Sequence, residues 1–343
     1  MTVSDPTPKK RRPAVMTDVA RLAGVSYQTV SRVLHDSPLV RGETRERVLS
    51  AIRQLDYRPN SVARALVTGR SKTLGVVTFD TSLYGPASTL LGIEQAAHDA
   101  GYAVSISSLR SLNRETVVLA IEELRDQGVD GVAVIAPLRA GVDALRHVRS
   151  DFAVVAVAAG PNASIPVASF DQASGAAAAT RHLLSLGHET VWHLAGPHDW
   201  KEADERIEGW RSVLAAAGAP IPAPLRGDWT PRSGYELAET LLATRDFTAV
   251  LVANDQMALG FLRRVHEAGR EVPRDFSVVG FDDIPEASYF TPPLTTVRQD
   301  FTELGRRCLQ SLLRRIEGDT EPTRVVIAPE LVLRSSTSAP PKR

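Results

Sequence analysis

Apolar positions follow two different rhythms along this chain. From residue 17 to 56 they recur every three or four residues, and from residue 73 onward short β-rich runs alternate with helical segments. In the first region Thr17 is placed to cap a helix whose apolar positions Val19, Ala20, Leu22 and Ala23 lie near one face, and Gly24-Val25 supplies a tight turn. Ser26 caps a second helix. There Val30, Val33 and Leu34 form a buried stripe, leaving Tyr27, Gln28, Thr29, Ser31 and Arg32 to face outward. Pro38 ends that unit, and a third helix over 42–56 buries Val48, Ile52 and Leu55 to close a small three-helix core. Tyr57-Arg58-Pro59-Asn60 then breaks the helix, with Asn60 a good cap for a short helix over 61–66 that has too few turns to be stable alone.

The second region reads as an open α/β sheet, twice over. Strands are expected at 74–79, 102–107 and 131–136, with helices at 87–100 and 114–127 between them. A similar series follows Asp171: a helix to 186, strand 190–195, helices 205–217 and 233–242, strand 249–253, helix 256–268 and strand 276–281. Near 295–300 the chain is expected to cross back, place a helix over 301–316 on the first subdomain, and return through 325–333 to the second. Multiple crossings favour hinge closure over a cleft.

The outward residues of the second helix have groove-reading chemistry. Gln28 offers a paired donor and acceptor to a base edge, Tyr27 an aromatic body with a hydroxyl, and Arg32 suits guanine or phosphate. The segment after Asn60 reads either as a capped linker or as a hinge helix formed when two copies pack on DNA, with Leu66 as a wedge between base steps and Arg64 near phosphate. Charge sharpens the contrast. Residues 1–70 hold 13 Lys or Arg against 6 Asp or Glu, while the 343-residue chain as a whole is neutral, so a basic end is joined to an acidic remainder. The Lys9-Lys10-Arg11-Arg12 run reads as a disordered arm that either adds loose phosphate contacts or only solubilises the end. No apolar core of a signal peptide follows it, and no run has membrane-spanning length, so a cytoplasmic protein is expected.

Asp18-Val19-Ala20, Ala23-Gly24-Val25-Ser26, Thr29-Val30-Ser31-Arg32-Val33 and Tyr57-Arg58-Pro59-Asn60 resemble the DNA-binding headpiece and hinge of the lac repressor (LacI/GalR) family. The likeness extends over about residues 16–338. Gly227-Asp228-Trp229, the run from Leu251 through Asn254-Asp255-Gln256 to Gly260, and Ser277 to Asp283 stand closer to the family's namesake than to most of its members. The resemblance implies a basic arm (1–15), a helix-turn-helix headpiece (16–59), a hinge helix and linker (60–71), and a periplasmic-binding-protein-like α/β core (72–338), with parallel sheets flanked by helices and a polar tail (339–343). In that core the first subdomain takes about 72–170 and 300–324, the second about 171–299 and 325–338. DNA contacts fall on Thr17, Ser26, Tyr27, Gln28, Thr29, Ser31, Arg32, Asn60, Ala63, Arg64 and Leu66.

Ligands of open α/β sheets sit outside the carboxyl ends of the strands, and Asn254, Asp282 and Asp283 follow strands there. Asn, Asp and Arg suit paired hydroxyls, and Trp229 offers an aromatic face to a sugar ring. The resemblance places the family's effector arginine on Arg206, its amide and carboxylate on Asn254 and Asp282, aromatic platforms on Trp229 and Phe301, and apolar wall on Leu83, Pro86 and Phe170. Without it, Asp282 reads as a cap or turn residue and Trp229 as core, and Asp255 and Asp283 read as structural. Departures bear on the ligand. The namesake's galactoside-binding aspartate falls in Ala156-Val157-Ala158-Ala159, its third-strand asparagine near Ile135, and another arginine at about Ser111, where Arg110 is the nearest substitute. A sugar or short oligosaccharide with a different hydroxyl pattern is expected.

The whole reads as a transcriptional repressor of sugar genes, a homodimer on a near-palindromic, lac-like operator, released by a sugar. A corepressor-dependent regulator is the alternative. The namesake's C-terminal leucine heptads are missing from the Ser335–Arg343 tail, which favours a dimer over a tetramer. A sugar-binding transport protein would lack the helix-turn-helix. An enzyme is disfavoured: no nucleophile elbow or phosphate loop occurs, and the spacing of His188, His193 and His198 does not put them on one helical face. No cofactor or metal is expected, and Cys308, the sole cysteine, excludes an internal disulfide.

Overall fold

The structure, a computed structural model, describes residues 14–34, 37–57, 69–111, 113–145, 152–157, 165–244 and 247–342. The chain divides into two compact units at residues 71 and 72.

Among the described residues the first unit holds three helices, α1 (Met16–Ala23), α2 (Tyr27–Leu34) and α3 (Gly42–Gln54). Val19, Ala20, Ala23, Val30, Val33, Val48, Ala51 and Tyr57 form its core. Two expectations change. The cap of α1 is Val15, whose backbone N–H donates to the Asp18 carboxylate at 3.1 Å, so Thr17 sits exposed in the first turn. Leu22 is 50% exposed, and the buried face of α1 is Val19, Ala20 and Ala23. Gly24 stops α1 in the left-handed region (φ 64°), a conformation glycine adopts without steric cost. Ser26 does cap α2, its Oγ accepting the Thr29 N–H at 3.2 Å.

The second unit has two six-stranded sheets. The first runs β11-β5-β4-β3-β1-β2 and is parallel throughout, from β1 (Thr73–Phe79), β2 (Ala103–Leu109), β3 (Gly131–Ile135), β4 (Val154–Val157), β5 (Val167–Phe170) and β11 (Arg324–Ile327). The second runs β12-β10-β9-β8-β6-β7, from β6 (Trp192–Ala195), β7 (Leu225–Arg226), β8 (Ala249–Val252), β9 (Ser277–Asp282), β10 (Thr295–Arg298) and β12 (Glu330–Val332). Only β12 is antiparallel to its neighbour. The strands are near-continuous apolar runs because helices cover both faces: α4 (Tyr84–Asp99), α5 (Arg114–Asp126), α6 (Arg139–Leu145) and α11 (Phe301–Ile316) accompany the first sheet, α7 (Gln172–Ser185), α8 (Lys201–Ala216), α9 (Pro231–Leu242) and α10 (Asp255–Glu267) the second.

The final return differs from expectation. Residues 324–327 still belong to the first sheet, paired with β5, so the chain reaches the second sheet only after Ile327, not at 325. A continuous β-rich run gave no sign of the break, which Ala328-Pro329 makes. The subdomains are therefore joined by three crossings, after β5, β10 and β11. Where α4 meets α11, a Cβ on Gly92 would lie 2.4 Å from the Phe301 carbonyl and one on Gly305 would lie 2.1 Å from the Gly92 carbonyl carbon. Only glycines allow this approach, which sets the N-terminus of α11 and Phe301 at the edge of the first sheet.

Candidate functional site

On the first unit, Tyr27 (55% exposed), Gln28 and Arg32 project from α2 beside the exposed Thr17 of α1, while Thr29 and Ser31 are half-buried. Ser26 is committed to its cap and to a 2.9 Å bond with the Thr29 hydroxyl. Asn60, Ala63, Arg64 and Leu66, and the short helix expected there, lie outside the described residues.

In the second unit a cleft of about 760 Å³, open mouth included, lies between the two sheets. Leu83, Pro86, Phe170, Arg206, Trp229, Asn254, Asp282 and Phe301 all line it. They converge because each lies at or just past the carboxyl end of a strand or within the first two turns of the following helix, where the loops of both sheets meet.

Arg206 is the hub. Its Nε donates to Gln172 Oε1 at 2.8 Å, Nη1 donates to the Ala253 carbonyl, and Nη2 lies 3.5 Å from Asp282 Oδ1. Gln299 donates to the same Asp282 oxygen at 2.6 Å, and Gln172 donates to Gln299 at 2.9 Å, which closes a buried ring of four side chains. The guanidinium lies 3.9 Å from the centre of the Phe281 ring and 5.4 Å from that of Trp229. Burial raises the Asp282 carboxyl to about 6, with Arg206 and Gln299 opposing, and burial lowers the Arg206 guanidinium. Asp282 holds φ 103° and Asp283 φ 54°, left-handed backbone rare outside glycine and concentrated at functional sites.

Aromatic rings wall the rest. Phe301 meets Tyr84 and Phe170 edge-on at 5.6 and 5.3 Å, and Trp229 meets Trp200 edge-on at 5.3 Å. Trp229 (φ 72°) folds its ring against Gly196, where a Cβ would lie 2.2 Å from it. Asn254 is both wall and cap: its Oδ1 accepts the Met257 N–H at 2.9 Å and its Nδ2 donates to the Trp229 carbonyl at 3.1 Å. Asp255 accepts from Thr296 Oγ1 (2.6 Å) and the Ile284 N–H (2.9 Å), and Asp283 from Arg298 (2.7 Å) and Arg334 (2.6 Å), so both brace loops, and neither is among the cleft residues. Ile135 and Val157 line the cleft as apolar wall, whereas Arg110 is exposed and outside it.

Residues not anticipated include Tyr84, Gln172, Trp200, Glu202 and Gln299. Gln172 and Gln299 follow β5 and β10 by two residues and one, so the strand-end rule that selected Asn254 would have found them. Trp200 and Glu202 escaped because α8 begins a turn before its expected start. The histidines have structural work. His188 bonds Thr248, Ser277 and the Ser338 carbonyl, and His193 bonds the Leu251 carbonyl in the core. Among the described residues no group of three or more His, Cys, Asp or Glu could hold a metal ion. Cys308 is packed in α11, its thiol pushed up to about 12 by burial.

Residues 15–60 match the pattern of bacterial regulatory proteins of the lacI family, and residues 180–337 that of a periplasmic binding protein-like domain. The lactose operon repressor of Escherichia coli K12 is 36% identical, covering 96% of this chain and 92% of its own. The chain belongs to the lacI family. It is accordingly a DNA-binding transcriptional regulator with an effector-binding core, and its relatives are repressors, not enzymes. The repressor PurR of Haemophilus influenzae is 34% identical over 95% of this chain and 99% of its own. Among solved structures, a lac repressor dimer bound to operator and the anti-inducer ONPF superposes with a TM-score of 0.84 (35% identity, 96% of this chain, 100% of that one). A complex of the regulator CelR with cellobiose gives 0.70 (32% identity, 94% and 99%). No helix among the described residues is long and apolar enough to cross a membrane.

Proposed function

We propose that this regulator represses genes of sugar uptake or catabolism and leaves its operator when a sugar fills the cleft. One observation carries the reading: a buried Arg206–Gln172–Gln299–Asp282 ring set among Phe301, Trp229, Tyr84 and Trp200. Fixed polar groups satisfy hydroxyls, and aromatic faces suit the apolar side of a pyranose. Regulators of similar structure in complex with cellobiose and with bound ribose support a saccharide. Ile135 and Val157 give an apolar wall to that part of the cleft, so the preferred sugar differs from a galactoside in the hydroxyls presented there.

On DNA, Tyr27, Gln28 and Arg32 read the major groove of a lac-like half-site, Thr17, Ser26, Thr29 and Ser31 contact the backbone around it, and Asn60, Ala63, Arg64 and Leu66 serve the hinge. A homodimer presents two such units to a near-palindromic operator in the cytoplasm. Effector in the cleft changes the geometry that joins them, and operator affinity falls by linkage.

Isothermal titration of the full chain with glucose, galactose, cellobiose, lactose, ribose, hypoxanthine and guanine tests the ligand class. Binding of one or more saccharides is expected; binding confined to the nucleobases would overturn it.

A further inference from the structure

Two polar atoms of the cleft wall are enclosed and without a partner. One is Glu202 Oε2, an acceptor; the other is Trp229 Nε1, a donor. Each is costly to leave unmet: a buried polar group lacking its hydrogen bond forfeits the water it gave up. Neither belongs to the Arg206 ring, whose members satisfy one another. Trp200 and Arg206, which lie against the indole, carry no side-chain acceptor for its N–H. Glu202 stands one turn before Arg206 on α8, while Arg206 is already spent on Gln172, Ala253 and Asp282.

The two needs are opposite in kind. A cationic ligand group would satisfy Glu202 and leave the indole unmet, whereas an anionic group would satisfy the indole and meet the carboxylate's charge. A hydroxyl donates once and accepts twice, so neutral hydroxyls serve both. We infer that Glu202 and Trp229 Nε1 are the hydroxyl-reading pair that sets which saccharide the cleft prefers, Glu202 accepting from one ligand hydroxyl and the indole donating to the same or an adjacent one. This rests on the saccharide reading above and deepens it: specificity moves to the residues at the start of α8 and to the Trp229 loop. The ring of Trp229 is thus more than a platform for a sugar face.

The test is a deoxy scan. The best-binding saccharide of the panel and its monodeoxy analogues are titrated calorimetrically into the wild-type chain, Glu202→Leu and Trp229→Phe, with circular dichroism melting of each to show that it folds. In the wild type, loss of one hydroxyl is expected to cost about tenfold or more in affinity, since a site built to bond a hydroxyl rejects the analogue that lacks it. Glu202→Leu, which has no acceptor, should lose a comparable factor for the parent sugar and then fail to notice that deoxy position, and Trp229→Phe should do the same at that position or its neighbour. Should the variants bind the parent like the wild type, or lose the same factor at every deoxy position, the pair is not the reader and the inference falls while saccharide binding stands. Absence of saccharide binding to the wild type would overturn both. A retained deoxy pattern in a folded Glu202→Asp variant, which keeps the acceptor, distinguishes reading from mere packing.

Discussion

Glu202 places an ionisable carboxyl where charge is least welcome. Burial is the largest influence on its carboxyl, raising it from an ordinary 4.5 to about 7, with its own backbone N–H and Arg206 opposing and Glu205 adding to the rise. The folded chain therefore holds this proton more tightly than the unfolded chain, so stability is fully present below about pH 4.5 and is lost as pH rises towards 7. Asp282, raised to about 6, acts in the same sense. Glu202→Gln removes the Glu202 share. Its melting temperature should match the wild type near pH 4.5 and exceed it by roughly 2–6 °C at pH 8, given about 1.4 kcal/mol per pKa unit as a ceiling. Differential scanning calorimetry across that range checks it, and an equal difference at both pH values would contradict the burial of an ionisable carboxyl. The natural residue is then a stability cost retained at the site, as expected of a group kept for ligand. Sequence showed Asp282 and Arg206 by motif, but nothing in the local pattern around Glu202 distinguishes it from the exposed acids of the same helix.

At the scale of elements, β1, β2, β3, β6, β8 and β9 were legible, whereas the short strands β4, β5 and β7 and the exact starts of helices were not. Apolar runs such as Leu74 to Val77 and Val250 to Val252 are buried on both faces, so the apolar run and the burial agree. The start of α8 was hidden because Lys201, Glu202 and Asp204 are charged and the aromatic before them reads as loop. The Ala328-Pro329 break was hidden because both flanking runs are β-rich. Glycines decide how elements approach the cleft. Gly196→Ala would drive a methyl into the Trp229 ring and disturb the loop whose carbonyl receives Arg226 at 3.1 Å. Overpacking of this kind costs about 1–3 kcal/mol. Saccharide affinity should fall by about tenfold or more and the Trp fluorescence maximum should move to the red; a folded variant with unchanged emission and affinity would mean that Trp229 is not fixed by this contact.

At the scale of the whole molecule, the three crossings between subdomains leave a hinge on one side of the cleft, and a second set of contacts spans it elsewhere. Leu138 pairs with Trp200 across an isolated bridge, the Arg139 N–H donates to the Asp199 carbonyl at 3.1 Å, and Arg139 pairs with Asp204, which also holds Arg226 at 2.9 Å. Arg139 is more than half exposed, and exposed pairs are worth about 0–1 kcal/mol, so this strap alone cannot hold the cleft shut. A ligand that fills the cleft and satisfies Glu202 and Trp229 supplies the larger bias, as population shift requires. Fold class and family were legible because motifs occur in order along most of the chain; ligand identity was not, because it depends on side chains that meet only in the folded cleft.

The most direct measurement is operator binding by fluorescence anisotropy, with a lac-like palindrome and a scrambled duplex at fixed salt, with and without the saccharide that binds best by calorimetry. The account predicts tight binding to the palindrome alone, weakened at least about tenfold by the saccharide, which corresponds to a coupling of about 1.4 kcal/mol. Equal binding to both duplexes would contradict the base-reading roles of Tyr27 and Gln28, and a saccharide that left operator affinity unchanged or raised it would contradict induction by a sugar.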